Sequence, residues 1–238
     1  MIKKKLLRLL VPIALLAFMV WGGYIGVRDR TTYSYMEHLD EVAVTVDGED
    51  ITLRDMLFYV AFEERKVEND AASYNPDNTI EYWNIHTNGA FFKDIVKDTV
   101  MGMAVHDAIL YKQADESNII LNSSERTSRE DAKTDFWSDL YDIQLERLEG
   151  YEEIINTSID HVALAQKYQG ILAEKEDKDY HDLDWDGEVF EEYKSSHDIV
   201  INKKVWKRIV FGDVTLDHKI PSFLPTKKSE RKEEKESQ

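Results

Sequence analysis

Between Val42 and Val60 the chain reads VAVTVDGEDITLRDMLFYV, and inside this stretch the spacing of apolar residues changes from one regime to another. Val42, Val44 and Val46 alternate with Ala43 and Thr45, the two-residue period of a strand with one covered face. Asp47-Gly48 ends that run as a turn. Beyond it Leu53, Met56, Leu57, Val60, Ala61 and Val67 recur on one face of a helix. Thr52 followed by Asp55 resembles a capping box at the helix start, with Asp in place of Glu or Gln. A lone strand cannot satisfy its own backbone groups, so a partner must come from elsewhere in the chain. This need restricts the fold to a helical body closed by a small sheet.

The remainder reads as helix. Asn69 to Thr79, NDAASYNPDNT, is loop by composition, and the aromatics of IEYWNI after it form a short packed turn. A long helix is expected from Ala90 to Ser117, burying Phe92, Ile95, Val96, Thr99, Val100, Met103 and Leu110. Asn118 to Ser124 breaks it. A third helix places Phe136, Trp137, Leu140, Ile143 and Leu148 inward, and Gly150 punctuates. Thr157 or Ser158 caps a fourth helix, and Val189, Phe190 and Tyr193 lie on a short fifth. Strand character returns in Lys203 to Leu216 through Val205, Ile209, Val210 and Phe211. Pairing of this strand with Val42–Val46 gives the expected class: mainly α, with a two-stranded β element formed by the two ends of a domain spanning 41–216. Residues 217–238 are a charged tail expected to be disordered.

Ahead of the domain, Leu9 to Val27 is a 19-residue run without a charge, just long enough to span a bilayer. Lys3, Lys4, Lys5 and Arg8 in the basic segment 1–8 predict a cytoplasmic N-terminus, and Trp21 and Tyr24 suit the outer headgroup region. Val20 and Gly22 make a poor signal-peptidase site, so the run reads as an uncleaved transmembrane anchor. Residues 28–40 are a connector, and the main domain is extracytoplasmic whether or not the run is cleaved.

The formal net charge is −17, and because the N-terminal segment is basic and the tail nearly balanced, the excess anionic charge sits on the central domain. Such a surface repels phosphate backbones, which argues against nucleic-acid partners. There is no cysteine, which removes disulfides, thiolate metal sites and a thiol nucleophile together. The seven histidines are scattered without an HExxH pair. No nucleophile elbow, phosphate loop or dinucleotide fingerprint occurs. Ser123-Ser124 reads as a helix start, and the chain is expected not to be an enzyme.

The strand, turn and Thr-capped helix of VAVTVDGEDITLRDMLFYV resemble the opening of the SurA/PrsA-like (trigger-factor/SurA peptide-binding) chaperones. ADESNIILNSSE at the end of the long helix and DGEVFEEYKSSHD further on are similar to that family in the same order. The resemblance covers roughly residues 41 to 200. It stops at the parvulin isomerase domain: WKRIVFG stands where that domain's first strand would begin, with Arg208 in place of its histidine, and too few residues follow. Prolyl isomerase activity is therefore not expected. What the resemblance implies is a membrane-anchored, extracytoplasmic chaperone-like protein whose helices cradle unfolded or exported polypeptides in apolar grooves. Trp83, Phe91, Met101 and Met103 are the candidate client-binding residues, since Met and aromatic side chains pack adaptably. The alternative is a non-catalytic scaffold module docking one specific partner at the membrane surface.

One motif stands apart. In DLDWDGEVFEEY, Asp182, Asp184 and Asp186 followed by Gly187 reproduce the first half of an EF-hand loop, and Glu188 adds a further carboxylate for calcium. The twelfth position, where the loop needs a bidentate Glu, is Tyr193. The competing reading makes Asp184 or Asp186 the cap of the fifth helix, with Glu188, Glu191 and Glu192 in its first turns.

Overall fold

The computed structural model describes residues 33–87 and 89–218, together with Met19. The expected anchor 9–27 (Met19 apart), the basic segment before it, residues 28–32 of the connector and the tail from 219 onward lie outside the described residues. Among the described residues no helix is long and apolar enough to cross a membrane.

The opening strand does not stand alone. β1 (Val42–Val46) turns through Asp47 and Gly48, at φ +48° and +81°, directly into β2 (Glu49–Thr52). Two consecutive positive φ values are what a two-residue hairpin of the right twist requires, and Asp-Gly supplies them. β2 is invisible to hydropathy because its outer half is Glu49-Asp50; Asp50 instead accepts a 2.6 Å bond from the Thr45 hydroxyl across the ladder. The Thr52–Asp55 capping box forms, with Thr52 N–H donating to Asp55 at 2.8 Å and Asp55 N–H returning to the Thr52 hydroxyl at 3.3 Å. It closes a turn, and the regular helix α1 begins after it at Leu57 and runs to Tyr74. The loop expected over 69–79 is found over 75–79 and corrected over 69–74: Ala71 continues the buried stripe of Leu57, Val60, Ala61 and Val67, and packing carries the helix through its polar end.

α2 (Ile80–Trp83) and a minimal hairpin of β3 (His86–Thr87) and β4 (Ala90–Phe91) lead into α3 (Phe92–Glu116). α4 (Ser123–Asp139) begins with a complete capping box, Glu125 N–H to Asn122 Oδ1 at 3.0 Å and Asn122 N–H to Glu125 Oε2 at 2.6 Å. The single third helix expected through Leu148 is two: Leu140 and Tyr141 are extended, and a separate α5 (Asp142–Arg147) follows. α6 (Glu152–Glu176) starts earlier than expected. Thr157 and Ser158 lie inside it, their hydroxyls bonded back to the carbonyls of Glu153 and Ile154, so neither is a cap.

A 3₁₀ turn (Tyr180–Leu183), α7 (Glu188–Lys194), β5 (Ile199–Ile201) and α8 (Lys203–Trp206) complete the order. The second strand of the sheet is therefore Ile199–Ile201 and not Lys203–Leu216. That latter stretch is a helical turn and irregular chain burying Val205, Trp206, Ile209, Phe211, Val214 and Leu216, a spacing without strict alternation. The sheet has three antiparallel strands in the order β2-β1-β5, with Val46 opposite Ile199 and Val44 opposite Ile201.

α3 and α6, each 25 residues and so roughly 37 Å long, pack along one another as the spine. α1 leans on both, and the sheet covers part of α3. Two carboxylates one turn apart on α1 fasten the end of the domain. Glu64, fully buried, accepts the amides of Gly212 (2.6 Å), Val214 (3.2 Å) and Thr215 (2.6 Å) as well as the Thr215 hydroxyl. Glu68 accepts Trp83 Nε1 at 2.8 Å and lies 2.7 Å from His218 Nε2.

Candidate functional site

Long helices that pack in pairs leave a gap where a third element joins at one side only. Here that gap is a cleft of about 750 Å³ between α1, α3, α4 and α6. Phe58 and Phe62, one turn apart on α1, form one wall, with Met103 of α3 and Ile159 and Val162 of α6 below. Phe136 of α4 closes the other side, its ring 5.2 Å from that of Phe58. Phe58, Phe62, Met103 and Val162 are only half-buried, so apolar surface remains open along the cleft.

α4 is held over the cleft by Phe136, with Trp137 packed against the core, and by a set of ion pairs. Phe136 is its one buried residue. Glu125 meets Lys167 at 2.6 Å, Asp160 of α6 takes Lys133 at 2.6 Å and Arg129 at 3.2 Å, and Asp139 meets Arg65 of α1 at 2.5 Å. The Lys167 ammonium, followed by the Asn122 amide, holds Glu125 below the usual carboxylate range.

The inner end of the cleft is polar. His106, buried on α3, sets Nε2 2.9 Å from the Leu183 carbonyl and Nδ1 2.7 Å from Asp107. A carbonyl only accepts, so Nε2 donates to Leu183, and Nδ1 is left facing the Asp107 carboxyl. The Tyr59 hydroxyl also meets Asp107; its burial, and then that carboxylate, push it well above the ordinary phenol value. Gln169 bridges the Tyr180 carbonyl (3.0 Å) and Asp184 (2.8 Å). These groups satisfy one another.

The candidate residues named from the sequence do not gather. Met103 lines the cleft. Trp83 is 2% exposed, with its indole N–H given to Glu68, which places it in the core and not on a client surface. Met101 is 6% exposed, on a different side of α3. Phe91 is exposed on β4 of the small hairpin, its ring 5.1 Å from that of its cross-strand partner His86. Sequence reasoning missed Phe58, Phe62 and Phe136 as a set. The signal was present as aromatics at positions flanking the fully buried stripe of α1, which is where a wider apolar band signals a second contact face.

The EF-hand-like segment folds as the 3₁₀ turn followed by α7. Asp184 bonds Gln169 and His181 Nδ1 (2.9 Å). Gly187, not Asp184 or Asp186, is the residue before α7, and a Cβ there would collide with the Asp182 carbonyl, which explains the glycine without a metal. Among the described residues no group of three or more His, Asp or Glu side chains is placed to hold a metal ion, so Asp182, Asp184, Asp186 and Glu188 do not converge. No protein-family model, no characterised protein and no solved structure matches this chain.

Proposed function

We propose that the protein is a non-catalytic, chaperone-like module that holds apolar segments of unfolded or exported polypeptides in the α1–α3–α4–α6 cleft. The carrying observation is the floor of half-buried Phe58, Phe62, Met103 and Val162 in a cleft of about 750 Å³, large enough for several side chains. Phenylalanine and methionine suit a client whose sequence varies, because their contacts are apolar, adaptable and undemanding in direction. The anionic exterior keeps a protein carrying such a surface soluble and apart from its own copies. The 9–27 run would tether the module to the membrane with the cleft on the extracytoplasmic side, in reach of emerging chains.

The test is suppression of aggregation of a reduced, unfolding substrate by the full chain in lipid nanodiscs. Protection at near-stoichiometric ratios, lost in Phe62→Asp with unchanged circular dichroism, supports the reading. Absence of protection at several-fold excess refutes it. Recovery of one stoichiometric membrane partner in place of a mixed set of exported chains would favour the scaffold role.

A further inference from the structure

We infer that the outer edge of β5 accepts an extended, cationic polypeptide segment as a fourth antiparallel strand. This surface shares only Trp185 with the lining of the cleft and stands whether or not the cleft binds clients.

The backbone supplies the first observation. Asp47 N–H donates to the Asp198 carbonyl at 2.8 Å, and Asn202 N–H to the Ala43 carbonyl at 2.9 Å. Antiparallel bonding alternates, so between these two pairs Val200 faces Thr45 of β1. Ile199 and Ile201 then point their N–H and C=O groups away from the sheet, and among the described residues no bond from another element reaches them. Among the described residues β5 is an edge strand of the sheet, as β2 is on the other side, and Val200 is 57% exposed.

The second observation lies beside that edge. Ile199 and Ile201 stand opposite Val46 and Val44, the two core-facing valines of β1. Their side chains border a hollow of about 420 Å³ whose apolar lining includes Met101, Val105, Trp185 and Trp206. The three-stranded sheet thus stops short of covering α3. A strand placed about 4.8 Å beyond β5 lies over this hollow and drops every second side chain into it. Short edge strands ordinarily discourage pairing; a ready apolar recess at the next strand position does the reverse.

Charge selects the occupant. The lining of the hollow includes the carboxylates of Asp98, Asp186 and Glu191 against the ammonium of Lys194, which is already paired with Glu191 at 2.5 Å. A second copy would bring the same carboxylates face to face on a chain of net charge −17, so like charge disfavours edge-to-edge dimers. An incoming strand with small apolar residues facing the hollow and a net positive charge, drawn by the long-range field of a chain of net charge −17, meets both requirements.

The probe is an eight-residue peptide alternating valine with lysine, fluorescently labelled and titrated into the full chain. In antiparallel pairing the peptide residues whose amides face β5 are those whose side chains enter the hollow, namely the valines. N-methylation of the valine amides is therefore expected to weaken binding about tenfold or more, and N-methylation of the lysine amides to leave it unchanged. On binding, the Ile199 and Ile201 amides become protected from hydrogen exchange. Raising the salt concentration weakens binding several-fold, as attraction between a cationic peptide and a chain of net charge −17 requires. Several results overturn the proposal: no binding at millimolar peptide, indifference to valine N-methylation, binding without protection of those two amides, or protection that grows with protein concentration alone.

Discussion

Replacing Glu64 by alanine is expected to unfasten the final segment of the domain. The side chain is fully buried, and its two oxygens serve three amides and the Thr215 hydroxyl, itself also bonded by Gln144 Nε2 at 2.8 Å. Each buried donor left without an acceptor costs about 1–3 kcal/mol. Two influences reduce the sum: water can enter the vacated space, and removing the carboxylate relieves its own burial, which pushes Glu64 above its ordinary value. A net loss of about 3–5 kcal/mol follows, a large share of a typical domain's 5–15 kcal/mol. Glu64→Gln keeps the volume and one accepting oxygen but turns an amide group toward donors, so it should lose about 2 kcal/mol. Urea denaturation followed by tryptophan fluorescence measures both, with a lowered m-value expected in the alanine variant if residues 212–216 detach before global unfolding. A loss below about 1 kcal/mol in both variants would show that apolar packing of Val214 and Leu216, and not the carboxylate, holds this segment.

Glu68 provides a pH test. Burial pushes its carboxyl up, but the bonds from His218, Trp83 and Thr79 together win and hold it below its ordinary value. Its contribution is therefore present above the ordinary glutamate value near 4.5 and is lost as pH falls through the lower folded value, and Glu68→Gln should flatten that acid limb in thermal melts. At Gly102 an added Cβ would lie 2.5 Å from Trp185 Cε3, so Gly102→Ala must move the indole. The strain of about 1–3 kcal/mol exceeds the roughly 1 kcal/mol gained in helix propensity, and a changed near-ultraviolet dichroism reports it. Phe136→Ala removes the one buried side chain of α4 and should raise hydrogen exchange throughout Ser123–Asp139 while leaving α3 and α6 protected.

The sequence signals that proved reliable were those with one physical cause. The buried face of α1 and of the turn before it was legible because Leu53, Met56, Leu57, Val60, Ala61 and Val67 all serve packing, and every one is buried. The positive-φ turns at Gly48 and Gly150 were legible because few residues tolerate that conformation. Lys203–Leu216 misled because it contains β-branched and aromatic residues whose burial comes from docking under Glu64, not from strand alternation. β2 was missed because its stability comes from the turn and its cross-strand Thr45–Asp50 bond, neither of which leaves an apolar trace. The need for a second strand beside Val42–Val46 followed from backbone bonding alone, but which segment answers it depends on contacts spanning more than 150 residues. For the same reason the cleft could not be located in advance. Its walls belong to four helices, and only their arrangement brings Phe58 and Phe136 within ring contact.

The central strand of the sheet waits for Ile199–Ile201, and the carboxylates of α1 wait for Gly212–His218. During vectorial synthesis, the leading helices therefore spend most of the emergence time without the pieces that lock them. Completion comes late in the process and requires loop closure over separations of about 150 residues. A stall or premature stop before residue 212 would release a product with nearly all its helices and none of its final fastening, a natural target for quality-control proteases.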